Sequence, residues 1–136
     1  MTDAQRIHFE GDSIHEGSLL SGGFRVGNLI YISGQVAVKQ NREIVSVGDF
    51  KAQVHQTFAN ISRILEAGGS SLAKIVHTTT YVTDIETGRQ DWLGLKKQYF
   101  SFLYPAGTFV EISRLGSKEA MIEVDVVAII DGETAA

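Results

Sequence analysis

Residues 104–127 read YPAGTFVEISRLGSKEAMIEVDVV. The proline at 105, the only one in the chain, marks where a preceding helix must already have stopped. Two extended runs follow, Thr108 to Ser113 and Met121 to Ile130, with Arg114 to Glu119 between them reading as a solvated turn. In a strand, side chains two apart share a face. Met121, Glu123, Asp125, Val127 and Ile129 therefore stand on one face, and Ile122, Val124, Val126 and Ala128 on the other. Apolar residues on both sides predict a strand covered at least in part on both faces. Two carboxylates in such a strand cost several kcal/mol unless water, a partner or a ligand receives each charge. Two readings follow: the acidic face is the wet side of a sheet, or Glu123 lines a pocket.

Working outward, Ile75 to Thr83 is a β-branched run with His77, Thr79 and Tyr81 on one face and Val76, Thr78, Thr80 and Val82 on the other, as expected of a central strand. Between it and Pro105, Trp92, Leu95, Tyr99 and Phe102 mark the packed face of a helix near Thr87 to Leu103. Upstream, Phe50, Val54, Phe58, Ile61 and Leu65 recur at three- and four-residue steps and predict a helix over Asp49 to Ala67. Asp49 can cap its start and Gly68-Gly69 can end it. Its opposite side, Lys51, Gln53, Asn60 and Arg63, is read as the solvent face. Phe24 to Ser33 is extended with a turn at Gly27-Asn28, and Val36 to Val47 is a strand with a hairpin-like excursion. Residues 5 to 9 are a short strand candidate, and Gly11 to Gly23 is a glycine-rich loop.

The order of strands, helix, strand, helix, strands predicts an α+β domain over 1–136 with both helices on one face of a sheet. Val76, Val82, Ile122, Val124 and Val126 are read as forming the other face, which is too apolar for water and calls for a second copy of the chain as its cover.

Composition narrows the function classes. With 136 residues, a formal net charge of -4 and no basic run, the chain offers nothing to track a phosphate backbone, so nucleic acid is a poor partner. The absence of cysteine rules out disulfides and thiolate chemistry. No stretch is apolar enough to span a membrane and the charged N-terminus lacks a signal-peptide core, so a cytoplasmic location is expected. HExxH, a glycine-rich phosphate loop and GxSxG are all missing, and His8, His15, His55 and His77 are scattered, so no metal site is expected.

Five blocks, VGNLIYISGQV, ILEAGGSSLAKIV, HTTTYVTDI, YPAGTFVEISRL and MIEVDVVAI, covering about Val26 to Ile130, resemble in order and spacing the reactive intermediate deaminase family, also called Rid or YjgF. The resemblance implies a chorismate-mutase-like subunit assembled as a homotrimer. It also implies inter-subunit clefts that bind a small imine or enamine acid and hydrolyse it to a keto acid and ammonia without a cofactor. Ser33-Gly34 and Glu123 match the family's site, Glu123 falling on the glutamate that handles the hydrolytic water and proton. The family's arginine follows the Pro-Ala pair, where its planar fork holds a substrate carboxylate; here that position is Gly107. Its glycine-proline-tyrosine falls on Ser18, Leu19 and Leu20, its helix-two asparagine on Leu93, and the small residue two after the arginine on Phe109.

The resemblance thus implies a cleft lined by Ser33, Gly34, Leu20, Leu93, Gly107 and Phe109, more apolar than the family's. Either an imine hydrolase with an altered cleft or a non-catalytic trimer that binds a small metabolite follows. Arg25, His15 and Arg114 are the candidate replacements for the missing cation.

Overall fold

A computed structural model describes residues 3–100 and 104–130. Among the described residues six strands form one sheet in the order β1-β2-β3-β6-β4-β5: β1 Ala4–Arg6, β2 Gly23–Val26, β3 Leu29–Gln35, β4 Ile75–Val82, β5 Ala106–Glu111 and β6 Ile122–Ile129. All neighbours are antiparallel except β4 and β5, which run parallel because α2 (Ile85–Tyr99) connects them.

α1 (Phe50–Ala67) begins where Asp49 accepts a hydrogen bond from the Ala52 amide at 3.1 Å. Beyond Gly68 the chain turns through Gly69 with φ +88°, a conformation glycine adopts without strain. The helix buries Val54, Phe58, Ile61, Ile64 and Leu65 against Ile30, Ile32, Val124 and Val126 of the sheet. Each such side chain contributes roughly 1.5–3 kcal/mol when fully removed from water.

α2 is capped by Asp84, which accepts from the Glu86 and Thr87 amides, and it starts two residues earlier than the sequence suggests. It packs beside α1 through Trp92, whose ring stacks between Phe58 (5.7 Å between centroids) and Phe109 of β5 (6.2 Å). Phe102, expected on this face, lies outside the described residues. The α+β architecture with both helices on one face is therefore as expected. No described helix is long and apolar enough to cross a membrane.

Two expectations are corrected. Val82, Ile122, Val124 and Val126 do not form an uncovered face: all four are buried in the core under the helices. Val76 stands apart from them, exposed at a bulge between Ile75 and His77. The alternation of β6 was right, but the helices cover the all-apolar side, and the side left open carries Glu123, Asp125 and Val127. The need for a covering copy therefore does not follow from those valines.

The second correction concerns α1. Gln53 and Asn60, read as solvent-facing, are buried. Gln53 donates from Nε2 to the Glu119 carbonyl at 3.0 Å and accepts from the Met121 amide at 2.8 Å, tying the helix to the loop before β6. Asn60 donates to the Val36 and Val38 carbonyls at 3.0 and 2.8 Å. These amides satisfy backbone groups that irregular chain brings into the interior, which hydropathy periodicity does not register.

Candidate functional site

The open face of the sheet is built by register. On β4 and β6, Tyr81 pairs with Glu123, Thr79 with Asp125, and His77 with Val127. On β3, Tyr31 pairs with Val127 and stands exposed. The alternation of β6 and of the His77–Thr79–Tyr81 run is visible in the sequence. Their mutual register, which sets an acid beside Tyr81 and beside Thr79, is not.

Glu123 is half-buried against the end of β3. The ladder between β3 and β6 is irregular between Ile32 and Gln35, and Gly34 falls in that irregularity. A Cβ at Gly34 would stand 2.8 Å from Glu123 Cδ and 3.1 Å from Cγ, and closer still to Oε2. The φ of Gly34 lies outside the left-handed region, so space and not backbone conformation is what calls for glycine here. Ser33, next to it, donates its hydroxyl to the Ser21 carbonyl and so pins the strand to the glycine-rich loop that carries Leu20.

Electrostatics set Glu123 apart. Burial pushes its carboxyl above the usual glutamate range, and the neighbouring Asp125 charge pushes it further in the same direction. Asp125 is itself raised by burial, opposed by a hydrogen bond from Thr79 and by the proximity of His77. A carboxyl with raised affinity for a proton, on the open face of the sheet, can hold water and exchange a proton with a bound molecule. Thr79 and His77 belong to this cluster and were absent from the expected site; the shared face of the HTTTY run was their only signal.

The remaining expected residues lie elsewhere in the chain. Gly107 is on β5, two strands beyond β6, a separation of roughly 10 Å at ordinary strand spacing. A Cβ there would meet Thr78 Oγ1 at 2.7 Å and the Thr78 carbonyl oxygen at 2.8 Å. Phe109 stacks under Trp92 on the helix-covered side, and Leu93 is exposed on α2. Leu20 is exposed in the loop before β2.

Within the chain, then, Ser33, Gly34 and Glu123 come together mid-sheet with Leu20 carried by the adjoining loop, while Gly107 and Phe109 lie on the edge strand β5 and Leu93 on α2. The three candidate cations are held by other contacts. His15 is buried with Nδ1 2.9 Å from Asp12 Oδ2. Arg114 donates to the Leu115 and Gly116 carbonyls of its own loop, and Arg25 to Gly27 in the hairpin turn. Among the described residues no group of His, Asp and Glu side chains could hold a metal ion.

Known proteins resemble this chain in sequence and in fold. A family model described as endoribonuclease L-PSP matches residues 15–130. A RutC family protein of Sulfurisphaera tokodaii is 34% identical over 79% of this chain and 84% of its own length. The 2-iminobutanoate/2-iminopropanoate deaminase of Escherichia coli is 33% identical with the same coverage. Among solved structures, RidA from an Antarctic Psychrobacter superposes with a TM-score of 0.82 at 30% identity, covering 93% of this chain and 99% of that one. The protein YJGH superposes with a TM-score of 0.84 at 28% identity, covering 97% of this chain and 100% of that one. The sheet with two helices on one face and these matches lead to one conclusion: the chain belongs to the Rid (YjgF) family, whose model bears the description endoribonuclease L-PSP.

Proposed function

We propose that this protein hydrolyses imines or enamines, with Glu123 as the group that handles water and proton. The observation that carries the reading is the fit of Glu123 to Gly34: a half-buried carboxyl of raised proton affinity is seated in the space that a missing side chain leaves. Glu123 takes a proton from water as the water oxygen bonds to the carbon of the protonated imine, giving a neutral carbinolamine. It returns that proton to nitrogen, and as the C–N bond breaks the carbinol hydroxyl gives its proton back to Glu123, leaving ammonia and a carbonyl product. No cofactor is needed for this balance. The deaminase name of the Escherichia coli relative supports the reaction class.

The site is completed, on this reading, by a neighbouring copy in a homotrimer. Gly34 and Glu123 lie mid-sheet on β3 and β6, whereas Gly107 lies on the edge strand β5, so on this reading a cleft using both draws them from two copies of the chain. Gly107 supplies no guanidinium for a substrate carboxylate, and a charge-assisted contact of that kind is worth about 1.5–3 kcal/mol. The substrate is accordingly more apolar or uncharged than a small amino-acid imine. A second reading, a trimer that binds a small metabolite without turning it over, is favoured by the same Gly107, where contact with Thr78 leaves no room for a side chain.

Release of ammonia from freshly generated imines decides between them, with small carboxylate, bulky apolar and uncharged substrates compared on the wild type and Glu123→Gln. Turnover of the apolar members that disappears in Glu123→Gln supports the hydrolase. Binding of the same molecules or their products without turnover, detected by calorimetry, replaces it with the second reading. A concentration-independent mass other than three subunits overturns the trimer.

A further inference from the structure

A second concave region lies on the helix-covered side, away from Glu123. It is a cleft of about 450 Å³ between α1 and the excursion that follows β3, lined by Lys39, Gln40, Asn41, Gln56, Asn60 and Arg63. Every one of these side chains is polar, two are cationic, and none is a carboxylate. Gln56, Asn60 and Arg63 recur at four- and three-residue steps and so form one stripe of α1.

The opposite wall is fixed in place. Val38 and Ile44 form an antiparallel bridge at the base of the excursion. Asn60 holds its backbone at Val36 and Val38, and Arg42 donates to the Ser13 carbonyl at 2.9 Å.

Donors in the cleft outnumber the acceptors that meet them. The Gln40 amide oxygen accepts from the Ser13 amide at 2.8 Å, which fixes the orientation of the group and leaves its NH2 without a partner among the described residues. Gln56 Nε2 donates one hydrogen to Asn60 Oδ1 at 2.9 Å and keeps the other. Neither Lys39 nor Arg63 makes a side-chain hydrogen bond or ion pair among the described residues; Arg63 lies over the Phe9 ring at 4.6 Å. The nearest acid in sequence, Glu43, meets Asn41 Nδ2 at 3.4 Å and does not line the cleft. Two cations and spare amide hydrogens facing one space, in a chain of net charge -4, complement a compact oxyanion with several acceptor oxygens.

We propose that this cleft binds a small hydrophilic phosphate monoester, its phosphate held by Lys39 and Arg63 and its polar body by Gln40, Asn41 and Gln56. Phosphate is preferred to a carboxylate because it offers three acceptor oxygens to two cations, and the polar lining excludes an apolar body.

The test is an amide NMR titration of the full chain with inorganic phosphate, glycerol phosphate and succinate at physiological salt. Saturable shifts at residues 39–41 and at the Gln56 and Asn60 side chains are expected with both phosphate probes. Binding should weaken about tenfold in Lys39→Gln and again in Arg63→Gln, the scale of one lost charge-assisted contact. Lys39 is exposed, so its variant keeps the fold even if loss of the Arg63 stack on Phe9 disturbs the other. Shifts that do not saturate, that persist equally in Lys39→Gln, or that succinate alone produces overturn the proposal. Turnover plays no part in the readout, so the result is independent of the imine reading.

Discussion

Gly34 and Glu123 occupy one another's space: the carboxylate of the second fills the volume that a methyl group on the first would take. Gly34→Ala therefore displaces Glu123 and leaves the backbone undisturbed. The glutamate can rotate away, so the stability cost is small, below about 1.5 kcal/mol, whereas imine turnover falls to the level of Glu123→Gln. A double-mutant cycle checks this by denaturant unfolding. The cost of Gly34→Ala should shrink when Glu123 is already alanine.

Glu123 also makes stability depend on pH, with a sign opposite to that of a salt-bridged acid. Its folded proton affinity is raised by burial and by Asp125, so folding favours the protonated form. The penalty for the charged form is fully present above the raised folded pKa. It is relieved as pH falls from there toward the unfolded value of about 4.3. Glu123→Gln should therefore be at least as stable as wild type at neutral pH. Its advantage should vanish in acid, as unfolding midpoints measured across that range will record.

Gln53 anchors α1 to the approach to β6 through the Glu119 carbonyl and the Met121 amide. Gln53→Leu retains the bulk but strands both backbone groups, at about 1–3 kcal/mol for each buried group left unpaired. Asp49→Ala, which removes only an N-cap, should cost about 1 kcal/mol. Thermal unfolding of the two variants should rank them in that order.

At Gly107 the obstacle is main chain: an added Cβ meets the Thr78 carbonyl oxygen at 2.8 Å, so β5 must move away from β4. Gly107→Ala should destabilise by about 1–3 kcal/mol. Gly107→Arg should do at least as much and should not raise turnover of small carboxylate imines unless β5 shifts. Unfolding midpoints and the ammonia assay together check both statements.

Thr80 on β4 is buried in the core with no hydrogen-bond partner for its hydroxyl among the described residues. Thr80→Val removes an unpaired polar atom at constant shape and should raise stability by about 1 kcal/mol. Denaturant midpoints are the measure.

The fold was legible wherever a single element carries its own signal. The stripe of Phe50, Val54, Phe58, Ile61 and Leu65 gave α1, with its cap and its glycine stop, and the alternation at residues 122–129 gave the faces of β6. What could not be read is which face the helices choose, because each face of β6 carries apolar residues and the decision is made by β3 and β4 lying alongside. The same holds for the site. Glu123 and Gly34 could be named through family resemblance, but their contact depends on the irregular pairing of β3 with β6. Gln53 and Asn60 look like surface residues in any helical projection, since the carbonyls they satisfy come from loops far along the chain.

The sheet order also bears on how the molecule reaches its native state. β6, the latest of the described strands, is the one inserted between β3 and β4, and no strand pairing joins those two until it arrives. Until Ile122–Ile129 has been made, both carry bare hydrogen-bonding edges over largely apolar strands, the condition in which chains pair with the wrong neighbour. Completion of the domain is thus a late, long-range event, expected to fold slowly for its size and to expose the nascent chain to chaperones until the central strand is in place.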